Sequence, residues 1–76
     1  MPTKKATAAV DWKAVGRRLR GLRGDTHQAD FAKLIGVSQG QLSRYEKAGS
    51  EIGAEVLLRI AKRFGKTVEW VLTGSE

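Results

Sequence analysis

The three residues Gly36-Val37-Ser38 constrain this chain more than any other feature. A short segment with apolar residues at helical spacing lies on either side: Phe31, Ala32, Leu34 and Ile35 before it, Leu42 and Tyr45 after it. Glycine accepts the left-handed conformation that ends a helix, and serine readily caps the start of the next. A helix from about Gln28 to Ile35 and a second, capped by Ser38 and running to about Lys47, are thus joined by a three-residue turn and must cross closely. Ala32 is small where such a crossing would be tightest. Val37 is apolar although it sits in a turn, which pins it under the two helices. Phe31, Ile35, Leu42 and Tyr45 close the wedge between them.

The same glycine punctuation organises the rest of the chain. Asp11 can cap a first helix in which Trp12, Val15, Leu19 and Leu22 share one face, with Arg17, Arg18 and Arg20 off that stripe. Gly24-Asp25 breaks it. Thr26 or His27 caps the second helix, and Thr26 has the better chemistry for the task. Gly49 ends the third. A fourth runs from about Ala54 to Phe64, with Val56, Leu57, Ile60, Ala61 and Phe64 inward and Gly65 closing it. Thr67 caps a short fifth helix, Val68 to Leu72. No strand pattern and no internal repeat interrupt this. The expected fold is all-α: a compact five-helix domain over residues 11–74, preceded by a flexible basic tail over residues 1–10.

Composition narrows the function classes. At 76 residues the core is small, and stability is marginal unless the helices pack well or subunits associate. The absence of cysteine excludes disulfides and thiolate metal sites, and the single His27 cannot build a metal site alone. No metal or other cofactor is expected. Nor is an enzyme: there is no catalytic cysteine, no acid–base partner for His27 and no phosphate-cradling glycine loop. The N-terminus lacks the apolar core of a signal peptide, and no apolar run approaches membrane-spanning length. A cytoplasmic location without membrane association is the expectation.

Charge points to a polyanion. The chain carries a formal +6, and residues 1–24 hold Lys4, Lys5, Lys13, Arg17, Arg18, Arg20 and Arg23 against Asp11 alone. The third helix then offers unusual polar chemistry. At about 100° per residue, with Leu42 inward, Tyr45 and Glu46 flank the buried side. Gly40, Arg44 and Lys47 point the opposite way, Gln41 and Ser43 lie at the edges, and Gln39 sits at the leading end. Glutamine can bond adenine through its amide and arginine can grip guanine with a bidentate fork. Serine and glutamine can hold phosphate oxygens. Gln28 opens the second helix, where free N–H groups and the helix dipole favour phosphate. An ordinary solvated face would use the same residue types. Gly40 is odd in either case, because glycine inside a helix costs about 1 kcal/mol relative to alanine; it either permits close approach to a base edge or is neutral.

The segment "QADFAKLIGVSQGQLSRYEK", Gln28 to Lys47, resembles the helix-turn-helix of the Xre family, which includes the phage repressor and Cro DNA-binding domains. The resemblance runs from about Val15 to Gly74, with "RRLRGLR" matching the first helix and "EVLLRIAKRFGKTVEWVLTG" the last two. It rests on the ordered set Gln28, Ala32, Gly36, Val37, Ser38, Ser43 and Glu46. The loop "GDTH" is shorter than in many members. The resemblance implies a sequence-specific transcriptional regulator, a repressor that binds a palindromic operator in double-stranded DNA as a homodimer. Carried over residue by residue, Gln39, Gly40 and Arg44 match base-reading positions, while Gln28, Gln41 and Ser43 match backbone-contacting or flanking ones. Ser38, Lys47, Arg17 and Arg18 complete the candidate DNA-binding set. The resemblance also implies that Glu46 pairs with Arg23. The dimer contact is expected around Trp70 to Gly74. Two other classes share these features: a protein-interaction module on the same fold, antitoxin-like or coactivator-like, with a toxin or co-regulator as partner, and a non-specific packaging protein. The neutral tip, Gln39 and Gln41, argues against packaging, which would favour Lys and Arg there.

Overall fold

Three side chains mark where helices begin. Asp11 Oδ1 accepts from the Ala14 amide at 3.1 Å, Ser38 Oγ from Gln41 at 3.0 Å and Thr67 Oγ1 from Trp70 at 2.9 Å. In the computed structural model, which describes residues 9–75, they cap α1 (Trp12–Arg23), α3 (Gln39–Ala48) and α5 (Val68–Thr73). The remaining helices are α2 (Gln28–Ile35) and α4 (Ala54–Phe64), and no strand occurs among the described residues. Lys4 and Lys5 lie outside the described residues. Val10, counted with the tail in the sequence reading, packs half-buried against the core.

The start of α2 differs from expectation. The capping position belongs to His27, whose side chain makes no capping bond. Thr26 falls one residue too early, because the short loop closes on itself: the Thr26 amide donates to the Arg23 carbonyl at 3.0 Å. The first amides of α2 thus have no side-chain acceptor.

Every helix contributes to one core. Val15 and Leu19 of α1, Phe31, Ala32 and Ile35 of α2, Leu42 and Tyr45 of α3, Leu57 and Ile60 of α4, and Val71 of α5 are buried together. Ile52, in the loop between α3 and α4, joins them, and Phe31 stacks on Phe64 with centroids 5.4 Å apart. Fully burying such aliphatic or aromatic side chains stabilises by about 1.5–3 kcal/mol each. Ala32 is buried at the α2–α3 wedge and Val37 packs beneath it.

Two glycines fix how α3 is seated. Gly36, at φ 76°, ends α2, and its neighbour's amide, Val37 N–H, returns to the Ala32 carbonyl at 3.0 Å. The Arg59 side chain lies over Gly36 and donates to the Ile35 carbonyl at 2.8 Å, so a residue of α4 locks the turn between α2 and α3. Gly16 is buried where α1 crosses α3, and a Cβ there would strike the Tyr45 carbonyl. α1 can approach α3 this closely only without that side chain.

Arg18 is committed to the fold. Its Nε donates to the Val71 carbonyl and its Nη2 to the Leu72 carbonyl, each at 3.0 Å, closing carbonyls that the end of α5 leaves open. Among the described residues no helix is long and apolar enough to cross a membrane.

Candidate nucleic-acid interface

Around α3 the burial pattern follows the helical wheel. Leu42 and Tyr45 are buried, Gln41, Ser43 and Glu46 are half-buried, and Gln39, Gly40, Arg44 and Lys47 are exposed. The exposed residues make one outward tip, with Ser38 exposed at its leading end.

Behind that tip runs a continuous polar network. Arg23 grips Glu46 with two bonds, Nε to Oε2 at 2.8 Å and Nη2 to Oε1 at 3.0 Å, while its Nη1 holds the Thr26 carbonyl at 3.0 Å. Gln28 Nε2 donates to the same Glu46 Oε1 at 3.1 Å. Gln39 Nε2 in turn donates to Gln28 Oε1 at 3.4 Å. The network joins the end of α1, the start of α2 and the exposed leading end of α3. Among the described residues no buried polar side-chain atom lacks a partner, which is the condition under which a buried network rigidifies rather than destabilises.

The electrostatics follow from the same contacts. Burial pushes the Glu46 carboxyl up, but bonds from Arg23 and Gln28, with the positive charges of Arg23 and Arg20, outweigh it and hold the group below its usual value. The bond to Glu46 raises the Arg23 guanidinium further, against the opposing effect of its own burial. Both groups stay charged at neutral pH. The influence of Arg20 on Glu46 places a second arginine of α1 close to the site.

At the far edge of the tip, Arg44 Nη2 donates to Gln41 Oε1 at 2.6 Å, so the guanidinium is braced along α3 before any ligand arrives. A Cβ on Gly40 would meet only Arg44 Nη1, at an ordinary 3.9 Å. Among the described residues nothing requires glycine there.

The candidate residues therefore separate. Gln28, Ser38, Gln39, Gly40, Gln41, Ser43, Arg44 and Lys47 gather on α3 and the adjoining start of α2. Arg17 is exposed on α1. Arg18 is turned to the end of α5 and is engaged there. Among the described residues no group of His, Asp and Glu side chains is arranged to hold a metal ion. Sequence reading missed Arg20 and Arg59. Arg20 was one of several off-face arginines without a distinguishing signal, and Arg59 meets its partner only through tertiary packing.

Comparison with known proteins follows this geometry. The family model described as helix-turn-helix matches residues 17–71. The chain belongs to the helix-turn-helix family. Among solved structures this family member resembles the P22 c2 repressor in complex with a synthetic operator, with a TM-score of 0.72 and 30% identity, covering 80% of this chain and 96% of that one. It also resembles the P22 c2 repressor DNA-binding domain determined by nuclear magnetic resonance, with a TM-score of 0.66, 26% identity, and coverage of 82% and 90% respectively. A curated relative is the antitoxin PezA of Streptococcus pneumoniae serotype 4 (strain ATCC BAA-334 / TIGR4), 35% identical over 52 residues. That match takes in 66% of this chain, which spans about a third of the antitoxin's length (33%). The expected Xre-type resemblance and the five-helix repressor fold are thus borne out.

Proposed function

We propose that this helix-turn-helix protein is a sequence-specific regulator of transcription that reads double-stranded DNA with α3. The observation that carries the reading is the outward tip of α3, whose amide and guanidinium groups are oriented from behind by hydrogen bonds. In a helix-turn-helix the leading end of the second helix enters the major groove. Gln39 then reads adenine and Arg44 guanine, with Gly40 allowing close approach to a base edge. Gln28 and the uncapped amides at the start of α2 face phosphate, and Ser38, Gln41, Ser43 and Lys47 contact the backbone or flank it. Arg17 adds general grip. Arg18 acts by holding α5 in place.

A single α3 spans only a few base pairs, so two copies bind a palindrome as a homodimer, with half-sites about 34 Å apart. The C-terminal segment from Trp70 to Gly74 meets its counterpart, since α5 packs against α1 and α4 and leaves the tip of α3 free. Repression by occupancy of an operator in the cytoplasm is the corresponding mode of action, and the chain has no catalytic role. The similarity to an antitoxin supports a second reading, a module whose principal partner is a protein such as a toxin.

Selection of bound duplexes from a random pool tests the first reading. An enriched palindrome is expected, bound about a thousandfold or more tighter than scrambled DNA at physiological salt. Equal binding to all duplexes, or a co-purifying protein partner without sequence preference, would overturn it.

A further inference from the structure

The network behind α3 has a direction, imposed by chemistry at its buried end. A carboxylate only accepts hydrogen bonds. The Glu46 side chain is 2% exposed, and its Oε1 receives both Arg23 Nη2 and Gln28 Nε2. Gln28 must therefore turn its NH2 group toward Glu46. Its amide oxygen then faces the opposite way, where it receives Gln39 Nε2. Gln39 in turn has its NH2 group on the Gln28 side and its oxygen on the other. Adenine presents an acceptor, N7, beside a donor, N6–H2, so the order of oxygen and NH2 on a reading amide decides whether the edge matches.

We propose that Glu46, which stands behind the reading face, is a specificity-determining positioning residue: through Gln28 it fixes the amide polarity of Gln39, and so which base edge α3 accepts. The inference rests on the reading of α3 as the DNA-contacting helix. It goes beyond an ion pair that sets the angle of α3, because a neutral residue of the same shape would preserve that angle and still lose the direction. A glutamine at position 46 can donate or accept toward Gln28. With either order allowed at the first link, Gln28 can reverse and Gln39 with it.

The test uses the full chain and the duplex enriched by the wild type from a random pool, changed one base pair at a time in each half-site. Glu46→Gln keeps an acceptor for Arg23 and nearly the same volume. Wild type should discriminate at the Gln39 position by roughly ten- to a hundredfold, the equivalent of about 1–3 kcal/mol per bidentate contact. In Glu46→Gln that ratio should fall to within about threefold while ratios at the other positions hold. Gln28→Ala cuts the relay without touching the Arg23–Glu46 pair and should relax the same position, which keeps the test open if Glu46→Gln folds poorly. The double variant Glu46→Gln with Gln28→Glu restores an acceptor-only group next to Gln39. It should recover the ratio at that position even though the added charge weakens binding to every duplex. Gln39→Ala serves as the reference. If it removes the preference at one position and Glu46→Gln and Gln28→Ala do not, the relay is refuted and the reading of α3 stands. If Gln39→Ala changes no ratio, the reading of α3 falls and the relay with it. A uniform loss at all positions in Glu46→Gln, with a lowered melting temperature, means a purely structural Glu46 and also overturns the proposal.

Discussion

Removing either partner of the Arg23–Glu46 pair should have unequal consequences, because the partners are unequally buried. The Glu46 side chain is 2% exposed and that of Arg23 is 16% exposed. Arg23→Ala leaves a carboxylate that water barely reaches, with Gln28 as its remaining hydrogen-bond donor. Breaking a fully buried pair costs about 3–5 kcal/mol, and an exposed pair contributes about 0–1. At the edge of the core, about 3 kcal/mol is the expected cost of Arg23→Ala. Glu46→Ala leaves a guanidinium that can swing to solvent, and about 1–2 kcal/mol is expected there. A domain of this size has a total stability of about 4–11 kcal/mol. With about 4–8 °C per kcal/mol, Arg23→Ala should melt roughly 12–24 °C below wild type. The pH dependence supplies the sign. In wild type the folded Glu46 carboxyl lies below its unfolded value. Its contribution is therefore present above the unfolded value and is lost as pH falls through the lowered one. In Arg23→Ala burial dominates, the carboxyl moves up, and acid favours the fold by neutralising it. The gap between the two proteins should narrow as pH falls from the raised value in the variant, above the ordinary carboxylate range, toward the lowered value in wild type. Thermal and urea unfolding followed by circular dichroism, with the double variant completing the cycle, checks this. Costs that add within about 0.3 kcal/mol, or a gap constant across pH, would refute the reasoning.

Three further outcomes follow from single positions. Gly16→Ala places a methyl against the Tyr45 carbonyl and should destabilise by about 1–3 kcal/mol in an unfolding titration, more than Gly21→Ala, whose Cβ meets nothing within 4 Å. Gly40→Ala should stabilise the free protein by up to about 1 kcal/mol yet weaken binding to the selected duplex; unchanged affinity would mean that no base edge approaches there. Arg18→Ala should cost about 1–3 kcal/mol of stability with little change in the salt dependence of DNA binding, whereas Arg17→Ala should flatten the log–log salt slope by about 0.9 per phosphate lost.

Much of the fold was legible because its signals are local. The stripe Trp12, Val15, Leu19, Leu22 and the run Gly36-Val37-Ser38 each specify a helix or a turn within a few residues. The bounds expected for α2 and α4 match the structure, and α5 extends one residue beyond Leu72. The orientation of α3 followed from one apolar position, Leu42, and the pitch of a helix. What escaped the sequence depends on which elements meet. Ile52 is a lone apolar residue in a loop, without periodicity, and becomes core only once the helices assemble into one cluster around it. Gly16 looks like any helix glycine until α1 is laid across Tyr45. Arg23 and Glu46 were paired through family resemblance. The role of Gln28 as the link between Glu46 and Gln39 needed coordinates, because the start of α2 meets two separate turns of α3 there.

The arginines of α1 show why composition overstates the electrostatic part of such an interface. The sequence counts Arg17, Arg18, Arg20 and Arg23 alike toward a +6 chain. In the structure Arg18 closes the end of α5 and Arg23 neutralises Glu46, so two of the four serve the fold. Arg17 and Arg20 remain exposed. Counterion release scales with the cations that reach phosphate, not with the net charge. On the proposed reading, non-specific grip from α1 is correspondingly modest, and more of the binding falls to the outward tip of α3, where Arg44 is braced by Gln41 and Gln39 is bonded to Gln28. That division favours a reader over a packaging protein on physical grounds: Arg23 adds rigidity to α3 through Glu46 and Arg18 secures α5, and both are withdrawn from sequence-independent attraction.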